Sequence, residues 1–580
     1  MQSFKYEKLN VIDDRLVQHE PVVKMYRGSE QSSRLVAKPV GGSINQSQVQ
    51  FNISCTPSNY FDRKPMLKTT FDITVQALAT ANVTIPVSGN ATPLTKSLTA
   101  PGTDVTMSAY PASNVFGLCN VEINGTQVCT YDMAKYSSIL TRLGNVSKNM
   151  SKSTCASCPE LSFANCDDAN YTLSNSQGNY NDSTTNYIGN GSWTFDSVSA
   201  NNSGVGEAQG GNIVTLLANG KTANIVYRIT SYEPLILPPF IYNSSQDNSE
   251  AIFGMSNLMV TLNVNNLTAY RSIRCLSTAV ASTCSLSATS GNAAFNLVNC
   301  ELHYKTFRAP SIIDFKLPSP LSIFHTYNFY NNFIISSQAF GPAVNGVSTI
   351  TSGLDLTNVT STGMPSLIAI WCDKPTAYLS NYAKYYYPIT KLNIDLGTTQ
   401  SMLNTYEIAY FYGLSEECGL EQSYLSFLGR AYSTTYASTG IINATGASSR
   451  QLVGGPILLR PGISFPLPSE VSTNSSGSFT WAFHAQCMTT NAADIANAVK
   501  PNLNIMMIYD TWVSIDTSTL QCSVNKAMLT VPEVLGMART DAVTIDDIRG
   551  ESGGALQSHD VVKSGGGFKA SGKLASRVRK

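Results

Sequence analysis

Charge is scarce in this 580-residue chain. Asp, Glu, Lys and Arg together make up 13% of it, against about 25% in ordinary soluble proteins. Lys plus Arg equals Asp plus Glu at 38 each, so no overall field draws the chain to nucleic acid or to a charged membrane, and near-zero net charge favours self-association over repulsion. No run of 18 apolar residues occurs, which argues against a membrane-spanning helix. Met1 to Val17 lacks an apolar h-region, which argues against a secretory signal. Histidine is confined to five positions, His19, His303, His325, His484 and His559. Neither a nucleophile-elbow pattern nor a P-loop is found. The carboxylate pairs Asp13-Asp14, Asp167-Asp168 and Asp546-Asp547 fall in segments read as solvated arms or loops. The expectation is a chain that is not an enzyme and needs no cofactor.

Cysteine is present but not in a disulfide framework. The thirteen residues are an odd number spread from Cys55 to Cys522, unlike the dense pattern of a small secreted domain, so reduced thiols are expected. Asn124-Gly125 signals a type I′ hairpin turn. A two-residue loop there sets Cys119 opposite Thr130 and Cys129 opposite Asn120, with the sulfurs on opposite faces unless a bulge shifts the register. The nearest approach to a metal site is Cys155-x-x-Cys158 with Cys166. A zinc site wants four ligands, and the fourth would have to be Asp167 or Asp168, so an incidental role or a local disulfide stands beside the metal reading. Asn-x-Ser/Thr sequons, among them Asn82, Asn124, Asn145, Asn170, Asn190, Asn243, Asn266 and Asn443, read as a by-product of a composition rich in Asn, Ser and Thr.

Period-2 alternation dominates, and it comes twice. Val49, Phe51, Ile53 and Cys55 alternate with polar residues, the mark of a strand with one buried face. The pattern recurs at Phe71, Ile73, Val75; at Ile225, Tyr227, Ile229; at Leu258, Val260, Leu262, Val264; and at Val298, Cys300, Leu302, Tyr304. A second block carries Leu392, Ile394, Leu396, then Phe479, Trp481, Phe483, then Val513 and Ile515. Between the blocks lies a Pro-rich stretch, Arg308-Ala-Pro310 to Leu317-Pro-Ser-Pro320. Helices are few: one from an Asp132 N-cap through Met133, Tyr136, Leu140 and Leu143 to Gly144, and two at Met402–Tyr412 and Glu416–Leu428, separated near Gly413.

The organisation expected is an N-terminal arm at 1–45, a first β-sandwich at 46–310, a second at 311–535, and a flexible, basic, Gly-rich tail at 536–580. The first sandwich carries a projecting loop at about 145–212, rich in Ser, Asn, Thr and Gly with Tyr171, Tyr180, Tyr187 and Trp193. From Glu551 onward six Lys or Arg face two acidic residues, suited to nonspecific phosphate contact or to docking on a neighbour.

These segments resemble the double jelly-roll major capsid proteins of virophages and Polinton-like viruses. The resemblance spans roughly residues 46 to 535. It rests on Gln50-Phe-Asn-Ile-Ser-Cys-Thr-Pro57 followed by Lys68-Thr-Thr-Phe-Asp-Ile-Thr-Val75; on Glu233-Pro-Leu-Ile-Leu-Pro-Pro-Phe240 leading to Ile252-Phe-Gly-Met-Ser-Asn-Leu258; and on the break near Pro310. In the second half it rests on Met364-Pro-Ser-Leu-Ile-Ala-Ile-Trp371, Tyr387-Pro-Ile-Thr-Lys-Leu-Asn-Ile394 and Gly454-Gly-Pro-Ile-Leu-Leu-Arg-Pro461. The resemblance implies an all-β chain of two tandem jelly rolls with short helical insertions and long surface loops. It further implies homotrimeric pseudo-hexagonal capsomers in an icosahedral shell around a DNA genome, assembled inside the host cell. The partners implied are other copies, penton and minor capsid proteins, and DNA at the tail. Two other classes stay open: a surface adhesin of tandem sandwiches that binds carbohydrate, and a glycoside hydrolase on a jelly-roll scaffold, which needs a carboxylate pair in a groove.

Overall fold

A computed structural model describes residues 31–41, 44, 47–57, 59–79, 83–86, 105–107, 111–140, 142–143, 179–181, 187–189, 193–201, 214–217, 222–240, 251–265, 273–275, 282–285, 295–308, 322–335, 338–344, 347–375, 386–422, 424–428, 430–433, 448–451, 454–468, 471, 475–489, 492–516, 519–525 and 529–530. The alternating segments become strands with one face inside. β2 (Gln48–Ser54) buries Val49, Phe51 and Ile53 and exposes Gln48, Asn52 and Ser54. Burying each such apolar side chain contributes roughly 1.5–3 kcal/mol.

Seven further strands complete the first set: β1 (Gln31–Ala37), β3 (Met66–Ala79), β4 (Phe116–Ile123), β5 (Thr126–Asp132), β6 (Thr222–Pro234), β7 (Asn257–Val264) and β8 (Phe295–Arg308). They pair antiparallel in two sheets, ordered β1-β8-β3-β6 and β2-β7-β4-β5. A second set follows: β9 (Ser322–Ile335), β10 (Ser348–Gly363), β11 (Leu367–Asp373), β12 (Ile389–Leu396), β13 (Thr399–Met402), β14 (Ile457–Leu459), β15 (Ser475–Thr489) and β16 (Asn502–Asp516). Its sheets run β9-β16-β11-β14 and β10-β15-β12-β13, again antiparallel. The spatial order of the first set is therefore repeated strand for strand in the second. Two sheets so ordered are the jelly-roll arrangement, and the chain is an all-β double jelly roll.

Aromatic packing fills both interiors. Phe71 and Phe295, on adjacent β3 and β8, have ring centroids 5.6 Å apart. In the second jelly roll Trp481 stacks on Phe483 at 5.9 Å and meets Phe465 edge-on at 6.3 Å. The buried indole N–H donates to Ser361 Oγ at 2.9 Å, which satisfies the polar end of that large side chain.

Several local expectations are corrected. Gln31–Ala37, inside the segment read as an arm, is β1 and pairs with β8 from Gln31–Arg308 to Ala37–Leu302. Part of the 145–212 excursion returns to the sheet, where Trp193–Asn201 pairs with β6, while Asn179–Asn181 and Tyr187–Gly189 pair with each other in a separate two-stranded sheet. A bulge between Leu297 and Asn299 changes the phase of β8. Phe295 and Leu297 are buried before it, Cys300 and Leu302 after it, while Val298 is only partly buried. A second bulge, beside Val121, sets Cys129 opposite Val121 and Cys119 opposite Tyr131. That shift brings both sulfurs to the buried face, where both stay free. Cys119 Sγ lies 3.1 Å from Gly117 O and Cys129 Sγ 2.9 Å from Pro238 O.

Among the helices, α1 is Pro111–Val115 and α2 is Met133–Leu140. Asp132 Oδ1 accepts from Lys135 N at 3.2 Å, so Asp132 is the N-cap expected of it. The second pair differs from expectation. α3 (Ile408–Glu417) runs straight through Gly413 and ends at Cys418 and Gly419, whose φ is +96°, and α4 is only Tyr424–Leu428. Met402 closes β13 instead of opening a helix. A last short helix, α5 (Ala492–Ala496), connects β15 to β16. No described helix is long and apolar enough to cross a membrane.

Candidate assembly surfaces and the junction between the jelly rolls

The hairpin read from Asn124-Gly125 is present, with φ of +51° and +78°, and its tip reaches the other half of the chain. Asn124 Nδ2 donates to Gly254 O at 3.1 Å and to Leu520 O at 2.9 Å. Its Oδ1 accepts from Ser256 N at 2.8 Å and from Asn257 N at 3.1 Å. Thr126 Oγ1 donates to Cys522 O at 2.9 Å. Gly254, at φ +81°, leaves only 3.0 Å between an added Cβ and Ile515. The sequon nitrogen of Asn124 is thus engaged in the junction.

A second tie starts just beyond α2. Arg142 is 1% exposed. Its Nη1 donates to Gly454 O at 2.6 Å, and its guanidinium lies 4.4 Å from the Tyr386 ring centroid. Arg142 O accepts from Glu421 N at 2.9 Å, and Leu143 bridges to Leu420. Gln422 Nε2 donates to the same Gly454 carbonyl at 3.0 Å. At Gly454, φ is +75° and a Cβ would fall 2.2 Å from Tyr386 O, so glycine alone fits.

Several large aliphatic side chains face outward among the described residues. β1 ends its sheet and exposes Leu35 and Val36, neighbours that point to opposite faces. Among the described residues β1 pairs on one side only, with β8, and edges of this kind are open to further strand pairing. Ile463 is 72% exposed at the tip of a turn fixed by Gly462 N to Phe465 O at 2.9 Å and Ser464 N to Arg460 O at 2.8 Å.

Both described histidine side chains sit on outer faces, as the alternation implied. His484 Nδ1 is 2.8 Å from Asp355 and Nε2 is 3.5 Å from Asp395. His303 Nε2 is 3.4 Å from Glu301. His325 lies on β9. His19, His559, the three aspartate pairs and the candidate ligands Cys155, Cys158 and Cys166 lie outside the described residues. No group of three or more His, Cys, Asp or Glu able to hold a metal occurs among the described residues.

Two buried carboxylates had no sequence signal. Glu233, in the Glu233–Phe240 segment, accepts from Ala112 N at 2.6 Å, Ser113 N at 3.0 Å and Ser113 Oγ at 3.0 Å. Burial pushes its carboxyl up to about 7, against the pull of these hydrogen bonds. Asp494 meets Lys374 and Tyr387 inside the second jelly roll. Arg142 was equally silent, although its anchor, Gly454, opens a segment that carries the family resemblance.

The family model for the first domain of the Sputnik virophage major capsid protein matches residues 5–307, more than half of the chain. This chain belongs to the virophage major capsid proteins. Residues 330–511 of this capsid protein match a second family model, the V20 major capsid protein C-terminal domain. Among solved structures, the Sputnik virophage structure matches with a TM-score of 0.66 at 17% identity, over 92% of this chain and 93% of the other. The mavirus major capsid protein matches with a TM-score of 0.57 at 13% identity, over 92% and 99%. At these identities the likeness is one of fold. No curated protein matches by sequence. The place of a virophage major capsid protein is the capsid of the virion.

Proposed function

We propose that this virophage major capsid protein associates as a homotrimer, so that six jelly rolls surround one axis and form a pseudo-hexagonal capsomer. Capsomers then tile an icosahedral shell around a DNA genome inside the host cell. The observation that carries this reading is the repeated strand order: two units of one topology per chain give near-sixfold symmetry to three chains. Low charge and neutral polar loops suit broad contacts between copies, where unpaired buried charges are costly. The role is structural and non-enzymatic. The division of the chain near residue 310, contacts with penton and minor capsid proteins, and nonspecific contact of the basic tail with DNA belong to the same reading.

Light scattering on the purified full-length protein, with negative-stain electron microscopy of the same sample, tests it. The expected result is a mass of three chains and particles of hexagonal outline. Ile463→Asp and Val36→Lys are expected to weaken association while leaving monomer unfolding within about 0.5 kcal/mol of wild type, as for other surface changes. A monomer at every concentration, with no arrays, overturns the proposal.

A further inference from the structure

Lys374 and Asp494 meet where water has almost no access, each side chain being 1% exposed. Lys374 follows the last residue of β11, and Asp494 lies in α5. The Tyr387 hydroxyl donates to Asp494 Oδ2 at 2.9 Å, which leaves Oδ1 facing the lysine Nζ in direct contact. Val499, 1% exposed, donates its N–H to Asp494 O at 3.0 Å, and Phe340 packs on the Tyr387 ring at 4.9 Å between centroids. The pairs Arg228–Asp72 and Lys68–Glu301, by contrast, hold cations that are 45% and 41% exposed.

Two ions removed from water are held only by good geometry, and a covalent bond between the same groups eliminates both charges. We propose that Lys374 and Asp494 condense into an intramolecular isopeptide bond, making this pair a self-formed cross-link within the second jelly roll. One proton passes from the ammonium to the carboxylate and neutralises both groups. The amine lone pair attacks Cγ, the Nζ–Cγ bond forms, and the Cγ–Oδ1 bond breaks as Oδ1 departs with a second nitrogen proton as water. An ammonium and a carboxylate become one amide and one water, with no oxidant, reductant or added reagent. Well-oriented intramolecular reactions reach effective molarities of about 10⁵ M or more, and the dry surroundings slow the reverse hydrolysis. The bond would join the end of β11 to the connection before β16, enclosing β12 to β15 in a covalent loop.

Intact-mass spectrometry of the denatured full-length protein, followed by a chymotryptic peptide map, tests this. The expected result is a mass one water below that of the sequence and a branched peptide containing both Lys374 and Asp494. Lys374→Arg keeps a cation but offers no attacking amine, and is expected to retain the full mass of its own sequence. A wild-type mass without the deficit overturns the proposal. So does a deficit of one water that maps to any other residues.

Discussion

Glu233 is expected to make the stability of the first jelly roll depend on pH. Its carboxyl is fully buried, and that burial raises it from 4.5 to about 7, while the hydrogen bonds from Ala112, Ser113 and Ser231 act in the opposite sense. A shift of that size corresponds to roughly 3 kcal/mol. In the folded chain the proton is held up to about pH 7; in the unfolded chain it leaves near pH 4.5. The stabilisation linked to proton binding is therefore complete below about pH 4.5 and is lost as pH rises through about 7. Glu233→Gln stays neutral throughout. One face of its amide meets the N–H groups at the start of α1 as a donor, which costs about 1–3 kcal/mol at every pH. Wild type should therefore be the more stable protein at pH 4.5, and its advantage should shrink by roughly 3 kcal/mol, several °C in melting temperature, between pH 4.5 and pH 8. Taking the difference between the two proteins cancels every other titrating group. Thermal unfolding followed by circular dichroism at half-unit pH steps reads it directly. A gap between the two melting curves that stays constant over this range would refute the argument.

The junction is open to the same treatment. Arg142→Ala removes the bond to Gly454 and the contact with Tyr386, at an expected cost of about 3 kcal/mol. Calorimetry should then resolve separate transitions for the two jelly rolls, and a single unshifted transition would count against a locked junction. Gly454→Ala drives a methyl group into the Tyr386 carbonyl and is expected to lower both soluble yield and melting temperature; a wild-type melting curve would contradict the close approach. Burial pushes the thiols of Cys129 and Cys300 up to about 12. The Cys372 thiol is raised by a hydrogen bond to Cys487 and by burial. Iodoacetamide at pH 8 should leave these three unlabelled in the native protein and label them after denaturation, as read by peptide mass spectrometry. Native labelling at the rate of a free thiol would disprove their burial.

How far the fold could be read from sequence depended on whether burial followed a simple period. Val49, Phe51 and Ile53 gave β2 directly, because one face is inside and the other is not. β1 escaped notice because Leu35 and Val36 are adjacent and both exposed, so no alternation exists to detect. The bulges at Val298 and beside Val121 are single-residue shifts that leave no compositional trace yet exchange inside for outside. Gly413 was read as a helix break, but an added Cβ there would meet nothing within 4 Å, and the turn α3 needs comes at Gly419. Asn124-Gly125 gave the turn and not its destination. The ties at Leu520, Gly454 and Asp494 join residues far apart in the chain, and no local pattern encodes such a meeting.

Arg142 and Asn124 fasten the two halves at separate points, one through a guanidinium and one through a primary amide. Hinging one half against the other would break both sets of bonds together. The two halves are therefore expected to move as one unit, and in the proposed shell curvature would be taken up along the borders between molecules.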